Sequence, residues 1–247
     1  MTVTAGWLDA LDGTNTLAAT IEYSLYRTVR EAAPGDIADV PFEDATPVRT
    51  FVSWPGKRNF EGRLWMASTG QHVPFESFWE RAFLTNLDRT GTARSVSSQP
   101  MWIHWREPER SHAPDYFVRR TDGTGVLVDV HPAELTDDED AAKFALTRRL
   151  AAALGWGYVL VDDLPGALQN NLRFLLRYRD PAWLDGVDEE SLPAAGVVSL
   201  GDLARLLSGT ARSGIGAVYA LIWWQRVSVD LTRPLSMATA VQFGGAA

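Results

Sequence analysis

The residues best suited to metal chemistry are two aspartates, Asp115 and Asp129, together with Glu80 upstream. Asp115 follows a proline, and Asp129 is followed at two residues' distance by His131. Because side chains alternate along a strand with a period of two, Asp129 and His131 are predicted to share one face. Three convergent carboxylates suit a hard, oxygen-seeking cation such as Mg²⁺. Such a cation can activate water and stabilise charge on a phosphodiester.

A β-hairpin is predicted to place the two aspartates side by side. The segments with strand, turn and second-strand character are residues 116–120, 121–125 and 126–128. Asp115 immediately precedes the first strand and Asp129 follows the second. An antiparallel pairing therefore brings both carboxylates to the same end of the hairpin.

A helix is predicted to contribute the third carboxylate. Residues 74 to about 88 carry apolar side chains at helical spacing, and Glu76 and Glu80 lie together on the margin of that stripe. From the margin either glutamate can point along the boundary between helix and sheet. The sequence does not choose between them.

The remaining elements alternate between strand and helix. Further strands are predicted at residues 48–54, 101–106 and 158–161, the last of them buried, and further helices at residues 141–154, 168–178, 199–207 and 214–224. A hairpin is predicted over residues 226–243. Gly155 is the expected C-cap glycine of the helix at residues 141–154. The order helix, strand, hairpin, helix, strand indicates an α/β core.

Length and composition are those of an ordinary globular chain. With 247 residues, 46% of them apolar and 22% charged, it can bury the core of one large domain or two small ones. No apolar run approaches the roughly 18 residues of a membrane helix, and the first residues lack a secretory signal, so a cytoplasmic location is expected. The absence of cysteine excludes disulfides and cysteine-ligated zinc.

The net charge of −8 argues against strong autonomous DNA binding, which depends on neutralisation of phosphates by lysine and arginine. Arginines nevertheless gather at positions 106, 110, 119 and 120, at 148 and 149, and at 173, 177 and 179. These clusters are either solvated faces or the basic surface of an acidic nuclease that gains DNA affinity from partner proteins. Trp79, Trp156, Trp223 and Trp224 fit apolar patterns, so we expect core positions rather than base-stacking platforms.

As a set, these residues resemble the PD-(D/E)xK nuclease superfamily, and within it the TnsA-type endonuclease subunit of heteromeric bacterial transposases. The resemblance covers about residues 47–180, with weaker agreement in the C-terminal helices. The stretches that carry it are residues 70–81, 98–100, 113–116, 128–132 and 171–179.

The resemblance implies a restriction-endonuclease-like core with a mixed central sheet flanked by helices. The expected domains are an N-terminal extension (1–46), the nuclease core (47–180) and a small helical, winged-helix-like module (181–247) that binds a partner or DNA. The implied activity is Mg²⁺-dependent hydrolysis of double-stranded DNA at transposon ends, with Mn²⁺ able to substitute, in the bacterial cytoplasm at the nucleoid. The implied partners are a DDE-type transposase subunit, which cuts the other strand, and an ATP-dependent regulator.

Carried over residue by residue, the resemblance implies metal ligation by the carboxylates of Glu80, Asp115 and Asp129 and by the backbone carbonyl of Val130. Glu76 and Gln99 are secondary candidates. The donor set is compatible with one metal ion or two.

His131 stands where the superfamily usually has lysine, whose fixed positive charge lies near the attacking water. A histidine is mostly neutral at pH 7 unless nearby carboxylates favour its charged form. His131 would then either restore the charge or, as a neutral imidazole, orient water or act as a general base. Lost activity and a different alignment are the other interpretations.

Two further functions fit the same residues. One is a stand-alone nuclease of similar core in DNA repair or defence, which would cleave plasmid DNA without partners. The other is a non-catalytic assembly subunit that keeps the nuclease fold. The histidine at position 131 is its best support, and it predicts no metal binding.

Overall fold

The computed structural model describes residues 17–49 and 60–244, and in these ranges the chain forms thirteen β-strands and five α-helices. The strands are β1 (Ala19–Leu25), β2 (Thr28–Ala32), β3 (Ala45–Thr46), β4 (Gly62–Met66), β5 (Gln71–Phe75), β6 (Ala93–Ser98), β7 (Met101–Arg106), β8 (Glu109–His112), β9 (Tyr116–Arg120), β10 (Gly125–Val130), β11 (Gly157–Val161), β12 (Gly196–Ser199) and β13 (Ala240–Phe243). The helices are α1 (Phe78–Thr90), α2 (Asp138–Ala153), α3 (Gly166–Leu175), α4 (Leu200–Leu207) and α5 (Gly214–Trp223).

The described residues divide into two compact units, one containing those up to residue 80 together with 92–163, the other containing 81–91 and those from residue 164 onward. β1, β2 and β3 supply a sheet of the first unit. The second unit begins before α3, because the end of that helix packs into the same core as α4 and α5.

Two sheets form the framework of the first unit. One has the order β2-β1-β7-β8, with β3 also paired to β1, and the other has the order β11-β10-β9-β6. Every pairing is antiparallel except β10 with β11, whose connection runs through α2 as a parallel crossover requires. The predicted α/β class is therefore confirmed.

Both sheets and α2 share one apolar core in the first unit. The first sheet buries alternate residues of β1 and β7, as expected of a sheet with one face covered. The residues buried in this core include Ile21, Tyr23, Ile103, Trp105, Phe117, Leu127, Leu146, Leu150 and Trp156.

The elements with the strongest local signals agree with the sequence predictions. β9 and β10 form the predicted hairpin, with Gly123 at a φ of 89° in its turn. Asp137 caps α2 by accepting from the Asp140 N–H at 2.8 Å, and Gly155 follows the helix with a φ of 70°.

Elements that depend on distant pairing differ from the predictions. β11 is not buried: it lies at the edge of its sheet, and Val159 is 44% exposed. α1 begins at Phe78 instead of residue 74, because residues 71–75 pair with β4 as β5. Of the strand predicted at residues 48–54, residues 48 and 49 form a bend and the rest lies outside the described residues.

The second unit is mainly helical. Ser199 caps α4 as predicted, accepting from the Asp202 N–H at 3.1 Å. The hairpin predicted over residues 226–243 is wrong, because β13 pairs with β12 from before α4 and only one isolated bridge joins Ser228 to Gln242. No helix in the described ranges is long and apolar enough to cross a membrane.

Candidate carboxylate site

Asp115 links the start of β9 to the end of β10. Its Oδ2 accepts a hydrogen bond at 2.8 Å from the N–H of Val130, the residue after Asp129. Its backbone carbonyl accepts from the Gln99 N–H at 2.8 Å. The hairpin thus brings both aspartates and Val130 to one end, and the connection between β6 and β7 joins them there.

Asp129 is 2% exposed, and its carboxylate contacts two side chains that sequence reasoning missed. The Nε2 of His112 lies 3.0 Å from each carboxylate oxygen. The hydroxyl of Tyr158 donates to Oδ2 at 2.8 Å. Because an ionised carboxylate only accepts, Nε2 of His112 carries the proton in this contact. Asp129 is therefore held in one orientation by donors from β8 and β11.

Glu80 and Ser77 are hydrogen-bonded to each other at the N-terminus of α1. The Glu80 N–H donates to Ser77 Oγ at 3.1 Å, and the Ser77 hydroxyl donates to Glu80 Oε1 at 2.8 Å. Glu80 Oε2 accepts from the Glu76 N–H and from the Tyr116 hydroxyl, each at 3.0 Å. Burial raises the pKa of Glu80, although these hydrogen bonds lower it.

Replacing Ser77 with alanine is expected to lower the free energy of unfolding by about 1 kcal/mol, because α1 loses its cap. For a chain of this size that corresponds to a drop of roughly 2–4 °C in Tm. Scanning calorimetry measures it. Ser77→Thr keeps the hydroxyl and should retain most of the stability, and equal losses in both variants would contradict the capping role.

Glu76 is more exposed than Glu80 and lies near a cation. Its Oε2 is 3.9 Å from Nη2 of Arg49, whose guanidinium also lies over the Trp102 ring at 5.9 Å. An exposed pair of this kind contributes little to stability. Arg49 matters more as the positive charge that lowers the pKa of Asp115.

Three negative charges meet at Asp115. Burial raises the pKa of Asp115 well above its usual range, and the charges of Asp129 and Glu80 raise it further. The Val130 N–H and Arg49 oppose that rise only in part. Asp115 therefore keeps its proton to a higher pH than an ordinary aspartate does.

His131 lies against α2, away from the contacts that hold Asp129. Its Nε2 is 3.4 Å from Oδ2 of Asp140, and its ring packs on Phe144 with centroids 5.6 Å apart. Asp140 also pairs with Lys143 at 2.9 Å. No contact in the described part of the chain joins His131 to the carboxylate of Asp129, and the histidine found there is His112.

Gln99 is a strained, buried residue beside Asp115. Its φ of 44° lies in the left-handed region, and its side chain is 1% exposed. Its Oε1 has no hydrogen-bond donor among the described residues. Strained backbone and unsatisfied buried atoms concentrate at functional sites, so Gln99 belongs with the candidate residues.

The donor set fits Mg²⁺ in chemical type. Its atoms are carboxylate oxygens, which are hard donors, and Gln99, whose backbone N–H donates to Asp115, adds an oxygen without a hydrogen-bond donor among the described residues. Within residues 17–49 and 60–244, however, no group of three or more histidine, aspartate and glutamate side chains converges on one point as metal ligands. The carboxylates of Asp129 and Glu80 accept hydrogen bonds from protein donors, and a bound cation would replace some of these hydrogen bonds.

Comparisons with known proteins found no match. No protein-family model matches the chain, and no curated protein matches it.

Proposed function

We propose that the chain is a metal-dependent DNA endonuclease that hydrolyses phosphodiester bonds at transposon ends, as one subunit of a heteromeric transposase. The observation that carries the proposal is the placement of three carboxylates at one end of the β9–β10 hairpin. Asp115 accepts from the N–H of the residue after Asp129, and Glu80 accepts from the hydroxyl of Tyr116, the residue after Asp115. These carboxylates come from the helix and hairpin positions that the PD-(D/E)xK resemblance implies. Gathering like charges in a buried place is unfavourable for folding, so a functional cause is favoured.

Each side chain of the site has a distinct role in this proposal. Asp115, Asp129 and Glu80 would hold Mg²⁺ or Mn²⁺, which when bound supplies a Lewis acid and an activated water. His112 and Tyr158 fix the orientation of Asp129. Arg49 lies beside the carboxylates and can donate to a phosphate oxygen of the DNA, as guanidinium groups do in phosphate recognition.

The nuclease proposal predicts that His112→Ala lowers the rate of DNA nicking by about 10- to 100-fold, because Asp129 loses the donor that orients it. His112→Gln keeps an N–H donor and should recover part of that loss. Steady-state kinetics with kcat and KM resolved separately measure the effect. His131→Ala is the matched control, and a loss as large as that of His112→Ala would contradict the assignment.

The experiment that tests the function is nicking of supercoiled DNA in Mg²⁺ or Mn²⁺ by the wild type, Asp115→Ala and Asp129→Ala. Each protein is assayed alone and together with a DDE-type transposase subunit. Loss of nicking in both variants is expected. Dependence on the transposase supports the transposon role, whereas full activity alone supports a nuclease of repair or defence.

Absence of nicking under every condition, combined with absence of metal binding by calorimetry, would overturn the enzymatic proposal. It would leave the non-catalytic assembly subunit as the better reading of the fold.

A further inference from the structure

The second unit carries a cluster of half-buried aromatic rings. Phe174 contacts Tyr178 and Tyr219 with ring centroids 5.4 and 4.8 Å apart. Tyr178 in turn contacts Tyr219 at 4.9 Å and Trp183 at 5.1 Å. None of the four rings is fully buried, so together they form a continuous aromatic surface.

A cavity of ≈ 250 Å³ opens at one end of this surface, lined by Asp180, Ala182, Trp183, Arg212 and Ser213. Because a cavity of about 150 Å³ accepts a benzene ring, this one has room for a nucleobase.

Trp183 is fixed in place before any ligand binds. Its indole N–H donates to the carbonyl of Arg177 at 3.2 Å. Its ring packs on the backbone of α5 at Gly216, where a Cβ would lie 2.5 Å from the indole. A glycine inside a helix costs roughly 0.5–1 kcal/mol relative to alanine, and here it makes room for that ring. A preorganised ring loses little entropy when another ring stacks on it.

Exposed charges of both signs flank the aromatic surface. Arg173, Arg177 and Arg212 are exposed, and none of them has an ion-pair partner among the described residues. The guanidinium of Arg177 lies over the Phe174 ring at 5.1 Å. The exposed acids beside Trp183 are Asp180, whose Oδ1 accepts from the Ala182 N–H at 2.9 Å, and Asp185. Arginines therefore outnumber acids here on a chain of net charge −8.

We propose that this surface binds single-stranded DNA, with one base in the cavity against Trp183 and the phosphates along the arginines. Proteins that bind single strands combine a positively charged track with aromatic rings on which bases stack. Asp180 can accept from the exocyclic amino group of cytosine. The choice of DNA rests on the proposed function, since strand cleavage at a DNA end exposes single strands.

The test is fluorescence anisotropy with the full chain and a labelled oligodeoxycytidylate of roughly twelve nucleotides, a length within the range of single-strand sites. EDTA keeps any metal-dependent nuclease activity out of the measurement, and binding is measured over a series of salt concentrations. Trp183→Ala is expected to weaken binding at least about fivefold, and Trp183→Phe to recover part of it. Arg177→Ala should weaken binding and reduce the slope of log K against log salt by about 0.7.

Arg205→Ala is the matched control, because Arg205 is an exposed arginine of the same unit that pairs with Asp202 within α4. Binding by this variant should stay within about twofold of the wild type, as expected of a residue outside the surface. If Trp183→Ala fails to fold by circular dichroism, Arg177→Ala and Arg212→Ala are compared with the same control.

Four results would overturn the inference. They are no binding by the wild type, equal losses in the surface variants and Arg205→Ala, equal affinity for duplex DNA, and displacement of the oligonucleotide by oligoglutamate. The last would indicate an acidic protein as the partner. Because the assay contains no metal, its failure leaves the nicking experiment unaffected, and loss of nicking activity leaves this binding result unaffected.

Discussion

The Asp115→Asn variant is expected to lose Mg²⁺-dependent nicking by at least about a hundredfold, more than typical losses from residues that only orient a metal ligand. The same variant is expected to be more stable than the wild type at neutral pH. The first effect follows from removing a charged oxygen donor. The second follows from removing a negative charge that Asp129 and Glu80 repel.

The sign of the stability change comes from the pKa of Asp115. Burial, followed by the charges of Asp129 and Glu80, raises that pKa in the folded protein above its value in the unfolded chain. Between the two values the folded protein binds more protons, so the free energy of unfolding falls as pH rises through that window. At pH 7 the asparagine variant should therefore unfold about 2 °C or more above the wild type.

Scanning calorimetry from acidic to neutral pH, with and without Mg²⁺, measures this prediction. The difference in Tm between the two proteins should shrink as pH falls towards the pKa of an unfolded aspartate. Mg²⁺ should raise the Tm of the wild type more than that of the variant, by mass action. Asp122→Asn, in the turn of the same hairpin, is the control. It should leave nicking unchanged, and because hydrogen bonds from Thr124 lower the pKa of Asp122, it should not raise the Tm at neutral pH. A variant that nicks normally, or is less stable at pH 7, would refute the assignment.

Phe117→Ala is expected to destabilise the first unit by about 3–5 kcal/mol, a large part of the total stability of a typical domain. Phe117 is fully buried between Phe42 and Trp156, with ring centroids 5.7 and 5.3 Å away. Its ring also fills the space above Gly125 on the paired strand, where a Cβ would lie 2.8 Å from it.

Denaturant unfolding followed by tryptophan fluorescence measures the loss in Phe117→Ala. Val159→Ala truncates a 44% exposed side chain in the same sheet and should cost less than about 1 kcal/mol. Equal effects of the two substitutions would show that the shared core does not depend on Phe117. Nicking by the variant should fall in proportion to the folded fraction, because Asp115 immediately precedes β9, the strand that contains Phe117.

The hairpin that carries Asp115 and Asp129 was predictable because its information is local. Alternating strand residues flank a turn with Gly123, and the register follows from the turn. The same holds for the end of α2, which Gly155 marks, whereas the helix starts at Asp138, three residues before its predicted start at residue 141. Capping and turn residues act on their immediate neighbours, so a single sequence contains what is needed to place them.

The partners of Asp129 were not predictable in the same way. Tyr158 reaches it because β11 pairs in parallel with β10 across the α2 crossover, a register that the sequence does not specify. His112 reaches it from a strand of the other sheet. The β12–β13 pairing was missed for the same reason, since α4 and α5 separate the two strands. Arg49 lies in the segment predicted as a strand at residues 48–54, of which residues 48 and 49 form a bend and the rest lies outside the described residues.

The contact between His112 and Asp129 has a consequence for the motions of the first unit. His112 is the last residue of β8 in one sheet, and Asp129 lies on β10 in the other. The hydrogen bond from His112 to the Asp129 carboxylate therefore joins the two sheets. Separating them would leave a buried acceptor without that donor, at a cost of about 1–3 kcal/mol. The sheets therefore resist opening one at a time, and low-energy fluctuations that expose one sheet alone are suppressed. His112 and Asp129, which are proposed to serve the chemistry, thus also couple the two sheets into one cooperative unfolding unit.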